Sequence, residues 1–511
     1  MVGMVKSSGR WLIPLVAALV AALILFAWNW YPGLTSNPSE PAAGPERQAR
    51  NQVYFGPGNS IAVLPFNNGA AAPEQAFWSA GFSSDLYRLL MRTQGLQVTS
   101  SNSSFYFQDQ TVPLRIIAER LHSAHLLTGE FQLNDGQLRV EARLFDARKD
   151  QQLWSQVYQR DLEDVFTLQD EILTSVVEAI RPGANGALPK SGQVDTRAWA
   201  FYLQGLLLRQ QRTPEGLQNA EAAFHSALQI DPEYQLPRVG LAAIWLEREA
   251  AGDKEPLLLE NAREAVATAL RSRPEIPAAY ELLSYIRRNY DWDWQGALDA
   301  AEQALSLSPG DPELMSTVSL ALFTLGRFER AGELLQASIR QDPLNLLRRV
   351  RLGMLQEFSG EYEQSLTSYR VALEFNPELP GVRAYRARIK IIQGKPDSAI
   401  KESDQEIAPF WQRYSRILAL SAQQRHDKAE SLLEQMISDD GHHAAYQLTE
   451  ILAFRGETDR AFEWFQRAYN QKDGGMSEII GNYFLRNLHD DPRWEEMLIL
   501  MGLPLTGAAT P

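Results

Sequence analysis

Residues 297–309 read Ala297-Leu-Asp-Ala-Ala301-Glu-Gln-Ala304-Leu-Ser-Leu-Ser-Pro309, and this phrase recurs between Phe201 and about Asp473. Its form is Ala-x-x-x-apolar-x-x-Ala-x-x-x-x-Pro. Other copies are Ala220…Phe224…Ala227…Pro232, Ala262…Val266…Ala269…Pro274, Ala331…Leu335…Ser338…Pro343 and Ser365…Tyr369…Ala372…Pro377. Looser copies continue at Ala399, Ala429…Leu433…Met436 and Ala461…Phe465…Ala468. Residues at i, i+4 and i+7 share one helix face. Small side chains there let a second helix approach, and the proline stops each helix. Pro309, Pro343 and Pro377 follow at intervals of 34 residues, while the 42 between Pro232 and Pro274 leave room for an insertion near Gly252–Pro256.

This period, with small residues at the helix contact and a closing proline, resembles the tetratricopeptide repeat. The resemblance implies about eight helix pairs over 197–473, opening with Trp199, Tyr202 and Gly205 and stacked into a solenoid. Residues 474–511 are expected to cap its open end. Such arrays present surfaces and recognise proteins, so a binding protein is expected rather than an enzyme.

Composition agrees with a folded protein of two or three domains: 511 residues, 45% hydrophobic and 22% charged. The net charge of −14 argues against nucleic acid as a partner. With no cysteine in the chain, disulfides, thiolate catalysis and Cys-based zinc sites are excluded.

Trp11–Tyr31 (WLIPLVAALVAALILFAWNWY) carries no charge and matches the length of a bilayer-spanning helix. Lys6 and Arg10 precede it, which predicts a cytoplasmic tail (1–10), an uncleaved anchor in a bacterial inner membrane (11–31) and a periplasmic bulk. A Pro-, Gly- and Ser-rich spacer follows over 32–58.

From 59 to 182 short apolar runs alternate with helical spacing in the order β-α-β-α-β-β-β-α, an α/β sandwich of one domain's size. Asp135-Gly136 between alternating runs predicts a hairpin. The stretch resembles the TolB-amino-terminal-like domain of bacterial membrane-bound regulators, on Ser60-Ile-Ala-Val-Leu-Pro-Phe-Asn67, Gly95-Leu-Gln-Val98, Leu153-Trp154 and Asp164–Ile172. Asp491-Pro-Arg-Trp494 and Met501-Gly-Leu-Pro504 extend the resemblance to the C-terminus. Relatives of the CadC-like and cyclase-associated type often begin with a DNA-binding or cyclase module, which ten residues before the apolar segment cannot supply. A linker over 183–196 joins this domain to the array. The expected class is α+β overall: one membrane helix, a small α/β domain, then an all-α solenoid.

Candidates for chemistry are weak. His122 and His125 lack further ligands for a metal. Gly81-Phe-Ser83-Ser-Asp85 departs from a nucleophile elbow at its last position. No phosphate loop is present, so no catalytic, cofactor or metal residues are expected. Trp292 and Trp294 lie in a turn between helices, where large rings mark an interface or lock adjacent repeats. A basic strip stands out: Arg348, Arg349 and Arg351 on one first helix, Arg383, Arg386, Arg388 and Lys390 on the next, and Arg413 and Arg416 on a third. In the resembled fold these helices line the concave surface, and a strip there would hold an acidic or C-terminal peptide segment, or anionic headgroups. The expectation is a membrane-anchored periplasmic scaffold. The alternatives are a transmembrane signal transducer with a separate cytoplasmic partner, and an enzyme with an unrecognised site in the α/β domain.

Overall fold

The computed structural model describes residues 55–505, apart from 69–75, 109, 111, 184–187, 193 and 254. The apolar segment Trp11–Tyr31 lies outside the described residues. Among the described residues no helix is long and apolar enough to cross a membrane.

The N-terminal domain is built on one mixed five-stranded sheet in the order β2-β1-β3-β4-β5. Its strands are β1 (Ser60–Val63), β2 (Gln97–Val98), β3 (His125–Asn134), β4 (Gln137–Asp146) and β5 (Gln151–Asp161). β1 runs parallel to β2 and β3, and β3, β4 and β5 form an antiparallel meander. Alternation along β1 assigns its side chains to two cores. Ile61 and Val63 join the helices Ala76–Met91 and Val165–Ile180 on one face, with Phe82, Phe131 and Ile172. Ala62 and Leu64 join the helix Leu114–Arg120 on the other, through Ile117 and Ala118. The expected hairpin turns at Asp135 (φ 49°) and Gly136 (φ 78°), both left-handed, as a twist-matched two-residue turn requires.

Eight helix pairs follow, from Thr196–Gln210 with Pro214–Ile230 to Ala445–Phe454 with Thr458–Asn470. The repeated phrase occupies the second helix of each pair. Its small residues are buried, and its large residue presses on a glycine or small residue of a first helix. A Cβ on Gly205 would lie 2.4 Å from the Phe224 ring, and one on Gly353 would lie 2.5 Å from Tyr369. Buried serines tie the partners together: Ser284, Ser319 and Ser365 each donate to a second-helix or neighbouring carbonyl at 2.6–2.8 Å.

Sheet domain and array share a core. Trp199 of the first array helix packs on Trp78 and Phe166, and its indole N–H donates to Asp85 Oδ2 at 2.9 Å. A second contact is made much farther along. The Ser100 N–H donates to the Gln341 carbonyl at 2.8 Å, and the Ser103 hydroxyl donates to Asp342. The domain therefore spans from the first pair to the turn between the fourth and fifth.

Residues after Asp473 do more than cap the last pair. They run as short 3-10 turns (Gly474–Glu478, Tyr483–Leu488) against first helices of the array, and then as the helix Pro492–Leu500, whose Arg493 and Trp494 pack on Asp459, Phe462 and Phe465 of the last second helix. The turns meet the first helices, or the residues just after them, of the third, fourth, fifth, sixth and eighth pairs, as at Arg288, Gly326, Phe358, Arg388 and Ala453.

Candidate functional site

The third pair departs from the others where its first helix ends, beside the inner groove that the C-terminal turns occupy. Its first helix, Pro277–Ile286, runs into a π-type turn at Arg287–Asp291 and a left-handed Trp292 (φ 59°). Such wider turns redirect side chains. Here Trp294 becomes 3% exposed and donates its indole N–H to the Met501 carbonyl at 2.6 Å. Trp292 stacks on Trp294 and lies under Lys472. The tryptophan pair thus marks an interface within the chain: it receives the C-terminal segment.

Beside it, a cavity of about 270 Å³ opens between the first helices and the C-terminal segment. Its polar lining includes Arg288, Asn289, Ser316, Arg351, Lys472 and Glu478. Arg288 donates to Ser477 Oγ at 3.2 Å and Asn289 Oδ1 at 3.1 Å, and Arg351 donates to Ser316 Oγ at 3.0 Å. Burial lowers both guanidinium pKa values to about 10. Burial pushes Glu478 up to about 8, with neighbouring Glu450 adding to the effect and Arg388 and Arg288 opposing it.

Deeper in the groove, Arg388 gathers one residue from each successive layer. It donates from Nε to Glu357 at 2.8 Å and from a terminal nitrogen to Glu450 at 2.6 Å. Tyr414 donates to Glu450 at 2.9 Å, and Asn482 of the C-terminal segment donates to Glu450 at 2.7 Å. The Phe484 ring closes the other face of the guanidinium at 4.5 Å.

This splits the basic strip. Arg348 (2% exposed) and Arg388 (3%) do not face a partner. Arg348 sits between Glu313 and Asp342, each at 2.6 Å, because two carboxylates make its burial tolerable. Arg351 belongs to the cavity. Arg349 is half-buried beside His122 of the sheet domain and helps to lower that histidine's pKa after burial itself. Arg383, Arg386, Arg413 and Arg416 are accessible but paired, with Glu402, Glu402, Asp440 and Asp404 respectively. Lys390 is half-buried in the last turn of its helix.

The other candidates are structural. Ser83 is buried; it receives the Phe66 N–H at 2.9 Å and donates to the Ser79 carbonyl. His125 is buried against the Ser60 carbonyl and Asp146. Among the described residues no group of three or more His, Cys, Asp or Glu is placed to hold a metal. Sequence reasoning missed Arg288, Lys472 and Glu478, which approach from parts of the chain about 180 residues apart. The Trp292/Trp294 pair was the one signal of that closure.

A family model described as tetratricopeptide repeat matches residues 293–345, the second helix of the third pair and the whole fourth pair. The chain is similar to "Putative adenylate cyclase 3" of Rhizobium meliloti (strain 1021), 29% identical over 289 residues, covering 54% of this chain and 46% of that protein. It is also similar to the cellulose synthase operon protein C of Pseudomonas fluorescens (strain SBW25), 28% identical over 146 residues, or 26% of this chain and 11% of that protein. The chain spans less than half the length of each of these relatives. Among solved structures, a tetratricopeptide repeat protein from Parabacteroides merdae aligns over 52% of this chain and all of its own, at 14% identity and a TM-score of 0.39.

Proposed function

We propose that this protein is a membrane-anchored interaction scaffold of the bacterial envelope, held by Trp11–Tyr31 in the inner membrane with its bulk in the periplasm. Helix-pair arrays act through their surfaces, and this one has the same construction. One observation carries the reading: the inner groove already holds an irregular segment, the chain's own Gly474–Glu478, by side-chain and backbone hydrogen bonds such as Arg288 to Ser477 and Tyr446 Oη to the Glu478 carbonyl. An array that holds one irregular segment in this way is of a construction suited to holding a partner's acidic or C-terminal segment on a face that its own C-terminal segment leaves open. The contacts we assign to that partner are the accessible members of the basic strip, Arg383, Arg386, Lys390, Arg413 and Arg416; Arg383, Arg386 and Lys390 lie on the opposite side of their helix from the groove-facing Arg388. The Arg416–Asp404 pair is well exposed and worth only about 0–1 kcal/mol, so a partner carboxylate can replace Asp404 at little cost.

The test is crosslinking in intact cells followed by capture of the full chain, with wild type beside Arg383→Glu/Arg386→Glu. The double variant is expected to lose a specific envelope partner while its circular dichroism stays unchanged. Undiminished capture removes the strip as the binding face. Protease added outside spheroplasts is expected to digest the array; full protection removes the periplasmic location.

A further inference from the structure

We propose that the cavity between the groove wall and the C-terminal segment binds a small organic acid, with one carboxylate carried on a short apolar body. The proposal stands apart from partner capture, because the cavity is built from different residues than the accessible strip.

The charge pattern points to an anion. Buried or half-buried guanidinium groups elsewhere in the chain meet a carboxylate at close range: Arg209 meets Glu247, Arg348 meets Glu313, Arg388 meets Glu357, and Arg455 meets Glu430, all at 2.5–2.8 Å. Arg288 differs. Its hydrogen-bond partners are the neutral Asn289 and Ser477, and its Nε is buried without an acceptor. A half-buried charge whose hydrogen-bond partners are neutral is costly, and a ligand carboxylate would satisfy it. Arg351 lines the same cavity from the fifth pair, near enough for the two cations to repel. Lys472 stands at the rim over the Trp292 ring.

Glu478 is the acid in this wall. It is faced by Glu450 and Glu357 as well as by Arg388 and Arg288, and burial keeps its proton on at neutral pH. In that state it offers a hydroxyl donor, and the cavity keeps a net positive charge.

Size and polarity narrow the class. Leu320, Phe323 and Met354 supply apolar lining beside the cations. A volume of about 270 Å³ lies at the small end for ligand sites. Gly474–Glu478 lies across the groove here, so a peptide running along it would have to displace part of the fold.

The experiment is isothermal titration of the full chain in detergent with butyrate, hexanoate and benzoate, beside inorganic phosphate, benzylamine and a free-ended leucine-rich pentapeptide. At least one monocarboxylate is expected to bind saturably at one site, with benzylamine silent and phosphate weaker. Arg288→Gln/Arg351→Gln should weaken binding at least tenfold. If that variant does not fold, Leu320→Trp, which fills the apolar side and keeps both cations, should produce the same loss. The proposal is overturned by no saturable binding of any monocarboxylate, by affinity unchanged in the folded variants, by phosphate binding equally well, or by the pentapeptide binding more tightly than every monocarboxylate. Partner capture by the folded variants should match wild type, which separates this site from the scaffold surface.

Discussion

Arg388 and Arg416 both carry a guanidinium on a first helix, and burial makes them different residues. Arg388 is enclosed by Glu357, Glu450, Tyr414, Asn482 and Phe484. Removing it strands two carboxylates in the interior, and breaking such a pair costs about 3–5 kcal/mol. Arg416 and its partner Asp404 both remain well exposed to water. Urea unfolding should therefore show Arg388→Met destabilised by about 3–5 kcal/mol and Arg416→Ala by less than about 1 kcal/mol. Equal losses would contradict this assignment. Part of the distinction is legible in Val382-Arg-Ala-Tyr-Arg-Ala-Arg-Ile-Lys390. At 3.6 residues per turn, Arg383, Arg386 and Lys390 share a face and Arg388 lies across the helix from them. Composition suggested a strip; helical phase separates its buried member.

At the scale of elements, the C-terminal segment is held by close approach rather than by regular structure. Gly481 has φ 77°, and a Cβ there would lie 2.8 Å from the Phe328 ring and 3.3 Å from the Phe358 carbonyl. Ile480 packs as closely on Gly326. Gly481→Ala adds left-handed strain of about 1–2 kcal/mol, plus the clash. Hydrogen exchange should accelerate at least tenfold over residues 474–503 while the second helices of the first four pairs keep their protection. Unchanged exchange in 474–503 would show that the segment is held mainly elsewhere, as by Trp294. The sequence marks the segment as a cap, but short turns without periodicity carry no signal of which surface they cover.

Across the whole molecule, the groove concentrates carboxyl groups out of water. Burial pushes Glu281 and Glu478 up to about 8, assisted by Glu313 and Asp311 at the first and by Glu450 at the second. Each binds its proton more tightly folded than unfolded, where a glutamate titrates near 4.3. Unfolding therefore releases protons across this window, and the stability these groups supply is lost as pH rises from about 4 through 8. Burial lowers the pKa values of His122, His125, His443 and His489, so their effect has the opposite sign and fades above about pH 7, where an unfolded histidine (pKa about 6.5) has given up most of its proton. Urea unfolding should give lower stability at pH 9 than at pH 7, by roughly 1 kcal/mol for each glutamate. Glu281→Gln/Glu478→Gln should flatten the difference. Equal stability of wild type at the two pH values would count against the burial of these groups.

Local sequence pattern dictates whatever depends on residues within about one repeat of each other. The 34-residue period, the small-against-large contacts such as Gly353 under Tyr369, the Asp135-Gly136 hairpin and the alternating faces of β1 are local consequences of helix and strand geometry. Where distant parts meet follows from the folded array and not from any local pattern. Arg288 reaches Ser477, Trp294 reaches Met501, and Ser103 reaches Asp342 because small rotations between successive helix pairs add up along the array. That sum depends on every interface in between, and no local pattern encodes it. The groove's cavity, its enclosed Arg388 and its docked C-terminal segment are all products of the closure.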